Sequence, residues 1–246
     1  MSGVHVLPLE GIPEVREGDD LAALLAEAAD RAGGFEPRDV LVVAQKVVSK
    51  AEGRVVRMDE IEPSERALEL ADDRDPRHVE AILMESAQVV RVRPPLIITE
   101  TRHGFICASA GVDASNAKGA GTLVLLPLDP DASAAGIREG LRERLGRDVG
   151  VIVSDSFGRP FRQGTTDVAL GAAGITPLLD LRGVRDSVGY ELQATQIAVA
   201  DELAGAAELV LGKTNGIPAA IIRGLDVRGP GVGHDIVIPE ARDIFR

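Results

Sequence analysis

The chain has 246 residues, of which 45% are hydrophobic and 27% are charged, a composition typical of globular proteins rather than disordered or fibrous ones. Its formal net charge of −12 disfavours nonspecific binding to nucleic acid or to anionic membranes. An anionic ligand would therefore need a local cluster of lysines, arginines, backbone amides or metal ions.

The N-terminal half alternates between apolar strands and amphipathic helices. A helix is expected over Leu21–Arg31, with Asp19 and Asp20 as capping candidates, and a buried strand over Val40–Ala44. The remaining elements predicted in this half are a strand at 4–9, helices at 64–71 and 76–86, and strands at 89–92, 96–99, 105–108 and 123–127.

In the C-terminal half, Asp131 or Ser133 is the predicted cap of a helix that runs to Leu145. An apolar strand over 149–153 leads into a polar cluster, and a helix at 193–207 precedes strands at 208–211 and 219–223. No repeat or flexible linker is visible. The sequence predicts a mixed α/β (α+β) fold in a single unit over residues 1–246, which could divide into two lobes.

The single cysteine, Cys107, cannot form an internal disulfide, so we expect a structural thiol in a reducing compartment. No leader pattern opens the chain, and its apolar runs are far shorter than a membrane-spanning helix. A soluble cytoplasmic protein is therefore expected.

The densest polar segment covers residues 154–167, directly after the apolar strand. Asp155 and Ser156 offer hard oxygen ligands for Mg²⁺ or Mn²⁺, while Arg159 and Arg162 could neutralise phosphate or carboxylate oxygens. We therefore take Asp155, Arg159 and Arg162 as candidate catalytic residues. The alternative is a surface loop with internal Arg–Asp pairing.

A second cluster places Asp113 and Asn116 on a small-residue loop after a strand. The two residues could instead form a turn or a helix cap. Because carboxylates from two loops make a better metal site than one, Asp113 and Asp155 are a candidate pair.

The third cluster holds Lys46, Ser49 and Lys50, whose ammonium groups could approach a triphosphate or could simply be solvated. A fourth segment, 212–218, contains the letters G-K-T but lacks the glycine spacing of a P-loop. The four histidines share no metal-ligand spacing and form no recognisable catalytic triad.

Several short segments follow one another along the chain: Gly11-Ile12-Pro13, Gly18-Asp19-Asp20, residues 47–54 (VVSKAEGR), residues 111–116 (GVDASN), residues 155–160 (DSFGRP), Arg162-Gln163-Gly164, Gly216-Ile217-Pro218 and Ile222-Arg223-Gly224. In this order they resemble the coenzyme F-420:L-glutamate ligase family. Since the resemblance runs over essentially the whole chain, it is more specific than any single motif. The expected form is the stand-alone one, without the nitroreductase-like domain that some members carry.

The resemblance implies a ligase that joins L-glutamate to the glutamate-free precursor of coenzyme F-420 and then extends it through γ-linkages. GTP would be the co-substrate, and the carboxylate would be activated as an acyl phosphate. The resemblance further implies two divalent ions, Mg²⁺ or Mn²⁺, with K⁺ as an additional ion. The implied fold is two-lobed and is neither a P-loop nor a Rossmann fold, and the implied assembly is an intertwined homodimer.

By the same resemblance, Asp113 and Asp155 would bind one divalent ion and Ser156 the other. Lys213 stands where family members carry an oxygen-bearing ligand, which leaves the second ion's ligand set open. The residues implied to bind the nucleotide are Gly11, Ile12, Pro13, Glu14, Gln45, Lys46, Lys50, Asn116, Leu211, Gly212, Lys213, Thr214, Asn215, Gly216 and Ile217.

Two other functions remain open at the level of sequence. They are a different nucleotide-dependent carboxylate–amine ligase and a non-catalytic nucleotide-binding regulator. Paired carboxylates together with Arg and Lys favour catalysis, because a binding module needs phosphate donors but not metal ligands.

Overall fold

A computed structural model describes residues 3–114 and 121–244 of the chain. The strands in chain order are β1 His5–Pro8, β2 Val40–Ala44, β3 Val55–Arg57, β4 Ser86–Arg93, β5 Leu96–Thr101, β6 Ile106–Ala108, β7 Thr122–Val124, β8 Gly150–Gly158, β9 Thr165–Ala173, β10 Leu178–Asp180, β11 Gln196–Ala198 and β12 Ala219–Arg223. The α-helices are α1 Leu21–Arg31, α2 Gln45–Ala51, α3 Glu65–Ala71, α4 Pro76–Glu85, α5 Pro130–Leu145 and α6 Val199–Leu211.

The central sheet is five-stranded in the order β1-β12-β2-β8-β9. Strands β2 and β8 run parallel, with Ala44 opposite Ser154, whereas the other neighbouring pairs are antiparallel. Because β2 and β8 are parallel, their carboxyl ends meet at one edge of the sheet, where ligands commonly bind in α/β folds.

Helices cover both faces of this sheet, as the buried apolar run of β2 requires. On one face, Leu25 of α1 and Leu141 of α5 pack with Val43 and Val151. On the other, Leu203 of α6 packs in a second cluster that includes Val42, Ile152 and Ile222. Successive residues of β2 and β8 thus pack into opposite cores, because side chains along a strand point alternately to its two faces.

A separate core lies beneath α3 and α4, where Val79 and Ile82 pack with Ile97 of β5 and Leu123 of β7. The strands of this region form the small sheets β4-β5-β6 and β3-β7. The predicted mixed α/β fold class is confirmed. Within the described ranges, every helix is too short or too polar to cross a lipid bilayer.

Three local predictions were wrong. The cap of α5 is Asp129, whose carboxylate accepts the Ala132 N–H, and not Asp131 or Ser133. Residues 208–211 are the last turn of α6 rather than a strand, because a four-residue apolar run does not distinguish a strand from a buried helix end. The helix predicted from residue 193 begins only at Val199, since Gln196–Ala198 pairs with β10.

The polar segment after Val153 is also more ordered than the predicted loop. Residues 154–158 continue β8 and pair with β9, with a register shift between Val153 and Ser154. Asp155 and Ser156 are therefore held by a strand backbone, and only residues 159–164 form the connecting loop.

Candidate functional site

A cavity of about 560 Å³ opens where β2 and β8 end. Its lining is drawn from residues 12–15 after β1, residues 44–50 at the end of β2 and along α2, residues 154–156 with Asp167 on the β8–β9 hairpin, and residues 208–218 at the end of α6 and beyond it. The cavity is large enough for a small-molecule ligand, and charged and polar side chains share its lining with apolar ones.

The carboxylate of Asp155 lies in this cavity on a partly buried stretch of β8. Burial raises its pKa to about 7, and the neighbouring Asp167 carboxylate acts in the same direction. The Ser156 backbone N–H and the ammonium groups of Lys213 and Lys46 oppose that rise. Because its surroundings disfavour the ionised form of the Asp155 carboxylate, a cation bound beside it would stabilise that form. The position therefore suits metal binding.

A hydrogen-bond network surrounds Asp167. Its Oδ1 accepts from Ser156 Oγ at 2.5 Å and its Oδ2 accepts from Ser154 Oγ at 3.0 Å. Its backbone N–H donates to Glu208 Oε2 at 2.9 Å. The strand β9 and the end of α6 are thereby tied to the same side of the cavity as Asp155.

Two lysines of α2 line the opposite side. Lys46 Nζ contacts Asp113 Oδ2 at 2.6 Å and Lys50 Nζ contacts Glu14 Oε1 at 2.7 Å. Their side chains are only 14% and 12% exposed, so the interpretation as solvated surface lysines is wrong. Two nearly buried ammonium groups, each paired with a carboxylate, thus lie along the cavity of this acidic protein.

Gln45 is fully buried at the first position of α2 and also lines the cavity. Its Oε1 accepts from Ser49 Oγ at 2.8 Å, which fixes the orientation of the amide, while Nε2 has no partner among the described residues. A buried donor without a partner is costly, so Nε2 is a candidate donor to a bound ligand.

The segment after α6 completes the site. Gly212 has φ +57°, and a Cβ there would lie 2.7 Å from Asn215 Nδ2, so this turn requires glycine. Beyond the turn, Lys213 Nζ donates to Ser156 Oγ at 2.5 Å. The G-K-T letters therefore form a helix-to-strand turn and not the strand-to-helix loop of a P-loop.

The donor set fits a hard divalent ion. Asp155, Asp167 and Ser156 supply only carboxylate and hydroxyl oxygens, the ligands that Mg²⁺ and Mn²⁺ prefer. No three Asp, Glu, His or Cys side chains among the described residues converge as a ready-made metal cluster. Any ion held here would therefore complete its shell with hydroxyl, ligand or water oxygens.

Both members of the predicted Asp113–Asp155 pair interact with Lys46. Lys46 contacts Asp113 directly and also lowers the pKa of Asp155. The two carboxylates thus share the electrostatic influence of Lys46, and their joint role as metal ligands stays a prediction.

Most of the predicted site residues come together in the cavity. They are Ile12, Pro13, Glu14, Gln45, Lys46, Lys50, Asp155, Ser156, Leu211, Gly212, Lys213, Thr214, Gly216 and Ile217. Gly11 and Asn215 adjoin lining residues, whereas Asn116 lies outside the described residues.

Arg159 and Arg162 lie apart from the cavity lining. Both occupy the exposed connection between β8 and β9, where Arg159 Nη2 donates to the Gln163 carbonyl at 3.3 Å. Their catalytic role stays a prediction, and it would require the connection to approach a bound substrate.

Two acidic residues of the cavity, Asp167 and Glu208, were not among the predicted site residues. Asp167 closes the polar segment that begins at Ser154, so its position in the segment was an available signal. Glu208 was missed because residues 208–211 were interpreted as a strand, whereas the helical register of α6 turns it toward β9.

Comparison with known proteins finds the same family that the sequence segments resemble. The family model described as F420-0:Gamma-glutamyl ligase matches residues 11–224. Proteins named coenzyme F420:L-glutamate ligase from Methanopyrus kandleri and Methanothermobacter thermautotrophicus are 50% and 45% identical, with 100% and 99% of both chains covered. The protein of that name from Methanocaldococcus jannaschii is 44% identical over 99% of this chain and 97% of its own.

Proposed function

Because this chain belongs to the F420-0:gamma-glutamyl ligase family, we propose that it joins L-glutamate to the glutamate-free precursor of coenzyme F-420 at the expense of GTP. Relatives of nearly equal length that are named coenzyme F420:L-glutamate ligase support the ligase part of the proposal. The observation that carries it is the placement of the Asp155 carboxylate in one cavity with Lys46, Lys50 and Lys213. Such a site can hold a phosphorylated ligand despite the net charge of −12.

The lysines of α2 would neutralise phosphate oxygens. Lys46 and Lys50 already extend along the cavity wall toward the carboxylates of Asp113 and Glu14. Phosphate would exchange with, or add to, those partners, and charge-assisted contacts of this kind are among the strongest in proteins. Gln45 Nε2 would supply a further fixed donor.

The divalent ion would be held by Asp155, with Asp167 and Ser156 as neighbouring oxygen donors. Asp113 is outside the cavity lining and would join them through its position beside Lys46. When bound, the ion would supply positive charge to the phosphate oxygens. Mg²⁺ or Mn²⁺ suits this donor set, and K⁺ remains an expectation from the family resemblance.

The proposed reaction has two steps, phosphoryl transfer and amide formation. A carboxylate oxygen of the precursor bonds to the γ-phosphorus of GTP while the bond to the bridging oxygen breaks, releasing GDP. The glutamate amine then bonds to the acyl carbon, and phosphate leaves with the shared oxygen and takes up the amine proton. A precursor labelled with ¹⁸O in its carboxylate should therefore transfer label to inorganic phosphate, whereas unlabelled phosphate would rule out the acyl phosphate.

Product analysis tests the function itself. The full chain is incubated with the precursor, GTP and Mn²⁺, and with L-glutamate or another amino acid in parallel reactions. Mass spectrometry should find the precursor extended by glutamyl residues, and only in the reaction that contains glutamate. An adduct with a different amino acid would indicate another carboxylate–amine ligase, and GTP binding without any adduct would indicate a regulator.

We also propose that the active form is a homodimer. Three large apolar side chains are exposed: Phe161 between β8 and β9 (91%), Val188 between β10 and β11 (86%) and Leu209 on α6 (84%). Apolar side chains exposed to this extent are candidates for burial against a partner. Light scattering coupled to size-exclusion chromatography should give twice the chain mass, and a monomer would contradict the proposal.

A further inference from the structure

Lys213 lines the cavity as an exposed residue, and its ammonium reaches the acidic side of the cavity. Lys213 Nζ donates to Ser156 Oγ at 2.5 Å, and it acts electrostatically on Asp155 next to that serine. Lys46 and Lys50, in contrast, each contact a carboxylate on the α2 side. Lys213 is therefore the lysine that approaches the Ser156–Asp167 network.

The Ser156 hydroxyl is already engaged on both its proton and its oxygen. It donates to Asp167 Oδ1 at 2.5 Å and accepts from Lys213 Nζ at 2.5 Å. Asp167 is engaged in turn, because its other oxygen accepts from Ser154 Oγ. A metal ion on Ser156 would have to compete with this chain of hydrogen bonds.

Electrostatic repulsion by the Lys213 ammonium also disfavours a metal ion at Ser156. A divalent ion bound to Ser156 Oγ would lie next to an ammonium within hydrogen-bond distance of the same oxygen, and like charges at such separations repel strongly. The carboxylate of Asp155, by comparison, remains available to an added cation.

We propose that the Lys213 ammonium takes the place of a second divalent ion beside Ser156. Each chain would then bind one divalent ion, at Asp155, rather than two. The inference rests on the proposed metal- and nucleotide-dependent function, and it assigns Lys213 a positioning role through Ser156 and Asp167. It also revises the expectation of two divalent ions that the family resemblance implies.

The test is a count of bound Mn²⁺ that needs no turnover. The full-length protein is dialysed to equilibrium against Mn²⁺ and a saturating non-hydrolysable GTP analogue, and the excess Mn²⁺ per chain is measured by metal analysis. The natural chain should hold one ion. Lys213→Glu removes the ammonium and adds a carboxylate, and it should hold two ions, a twofold rise.

Two variants serve as matched controls. Thr214→Glu adds a carboxylate to the adjacent cavity residue but keeps the ammonium, and it should hold one ion. Lys213→Arg keeps a cation at the position and should also hold one. Two ions in the natural chain, one ion in Lys213→Glu, or two ions in Thr214→Glu would each overturn the inference.

A parallel assay of glutamate addition separates this inference from the proposed function. Product formation by the natural chain with two bound ions would overturn the inference and leave the ligase function standing. A single bound ion without any product would support the role of Lys213 and count against the ligase function.

Discussion

The surroundings of Asp155 disfavour the ionised form of its carboxylate. Burial and the Asp167 carboxylate raise its pKa to about 7, while Lys213 and Lys46 act in the opposite direction. A residue with this combination of burial and charged neighbours in a cavity is a strong functional candidate. Its substitution therefore tests the site more directly than that of any exposed acid.

Asp155→Asn should abolish metal-dependent turnover without unfolding the protein. The amide keeps the size of the side chain but removes the anionic oxygen, so we expect glutamate addition to fall by on the order of a hundredfold or more. Circular dichroism should be unchanged. Asp180→Asn is the control, because Asp180 is exposed and pairs with Arg182 away from the cavity, and its activity should match the parent. Normal turnover by Asp155→Asn at any Mn²⁺ concentration would remove Asp155 from the site.

Lys50→Ala should weaken GTP binding or slow phosphoryl transfer. Loss of a charge-assisted contact costs on the order of 1.5–3 kcal/mol, roughly ten- to a hundredfold in affinity or rate. The loss also leaves Glu14, the carboxylate now paired with Lys50, beside the phosphates. Calorimetry and single-turnover kinetics measure both effects.

Lys50→Arg should restore part of the loss, because the guanidinium keeps the charge but not the compact ammonium geometry. Arg66→Ala is a control for removal of an exposed cation, since Arg66 pairs with Glu69 on α3. GTP affinity and rate within about twofold of the parent in Lys50→Ala would assign Lys50 a structural role in holding Glu14.

Cys107 should be inert in the native protein. Burial raises the pKa of its thiol to about 12, and the Asp155 charge contributes to the rise. Because the folded state holds this proton more tightly than the unfolded state, the stability contribution is complete below about pH 9 and is lost as the pH rises toward 12. A thiol reagent at pH 8 should label the protein only after denaturation. Rapid labelling of the folded chain would contradict the buried position.

At the scale of elements, the site depends on how the helices are fitted to the central sheet. Gly171 of β9 faces the first turn of α5 so closely that a Cβ would lie 2.1 Å from the Pro130 carbonyl carbon and oxygen. No rotamer change can relieve a contact with backbone atoms. The close approach of α5 to β9 therefore requires glycine at this position.

Gly171→Ala should destabilise the fold by about 2 kcal/mol or more, because either the strand or the helix has to shift. Gly158→Ala is the matched control in the paired strand, where a Cβ would meet nothing within 4 Å, and it should change stability by less than about 0.5 kcal/mol. Denaturant unfolding of both variants measures the difference. Equal stability of the two variants would contradict the observed packing of α5 on β9.

Local sequence patterns predicted several of these elements. The β-branched run of β2 and the Asp20 cap of α1 lie where propensity and capping chemistry place them. The strand β11 and the helical end of α6 were not predicted, because the pairing of β11 with β10 and the packing of Glu208 against β9 depend on residues distant in sequence. Long-range contacts of this kind override local preference.

At the scale of the whole molecule, the site joins segments that lie far apart in the chain. Residues 12–15, 44–50, 154–156 with Asp167, and 208–218 converge only through the strand order β1-β12-β2-β8-β9, which no single segment encodes. The sequence indicated which segments are polar and unusual, and the family resemblance connected them. Ser156 and Lys213 are 57 residues apart, so their contact could not be read from local spacing.

The central claim is that this cavity couples GTP hydrolysis to amide formation. The most direct measurement follows GDP and glutamylated product together, with GTP or ATP as the nucleotide, by chromatography and mass spectrometry. The account predicts equimolar GDP and new amide bonds, a much faster reaction with GTP than with ATP, and a fall in both products of roughly a hundredfold or more in Asp155→Asn. Equal rates with both nucleotides, or GDP release without amide formation, would contradict it.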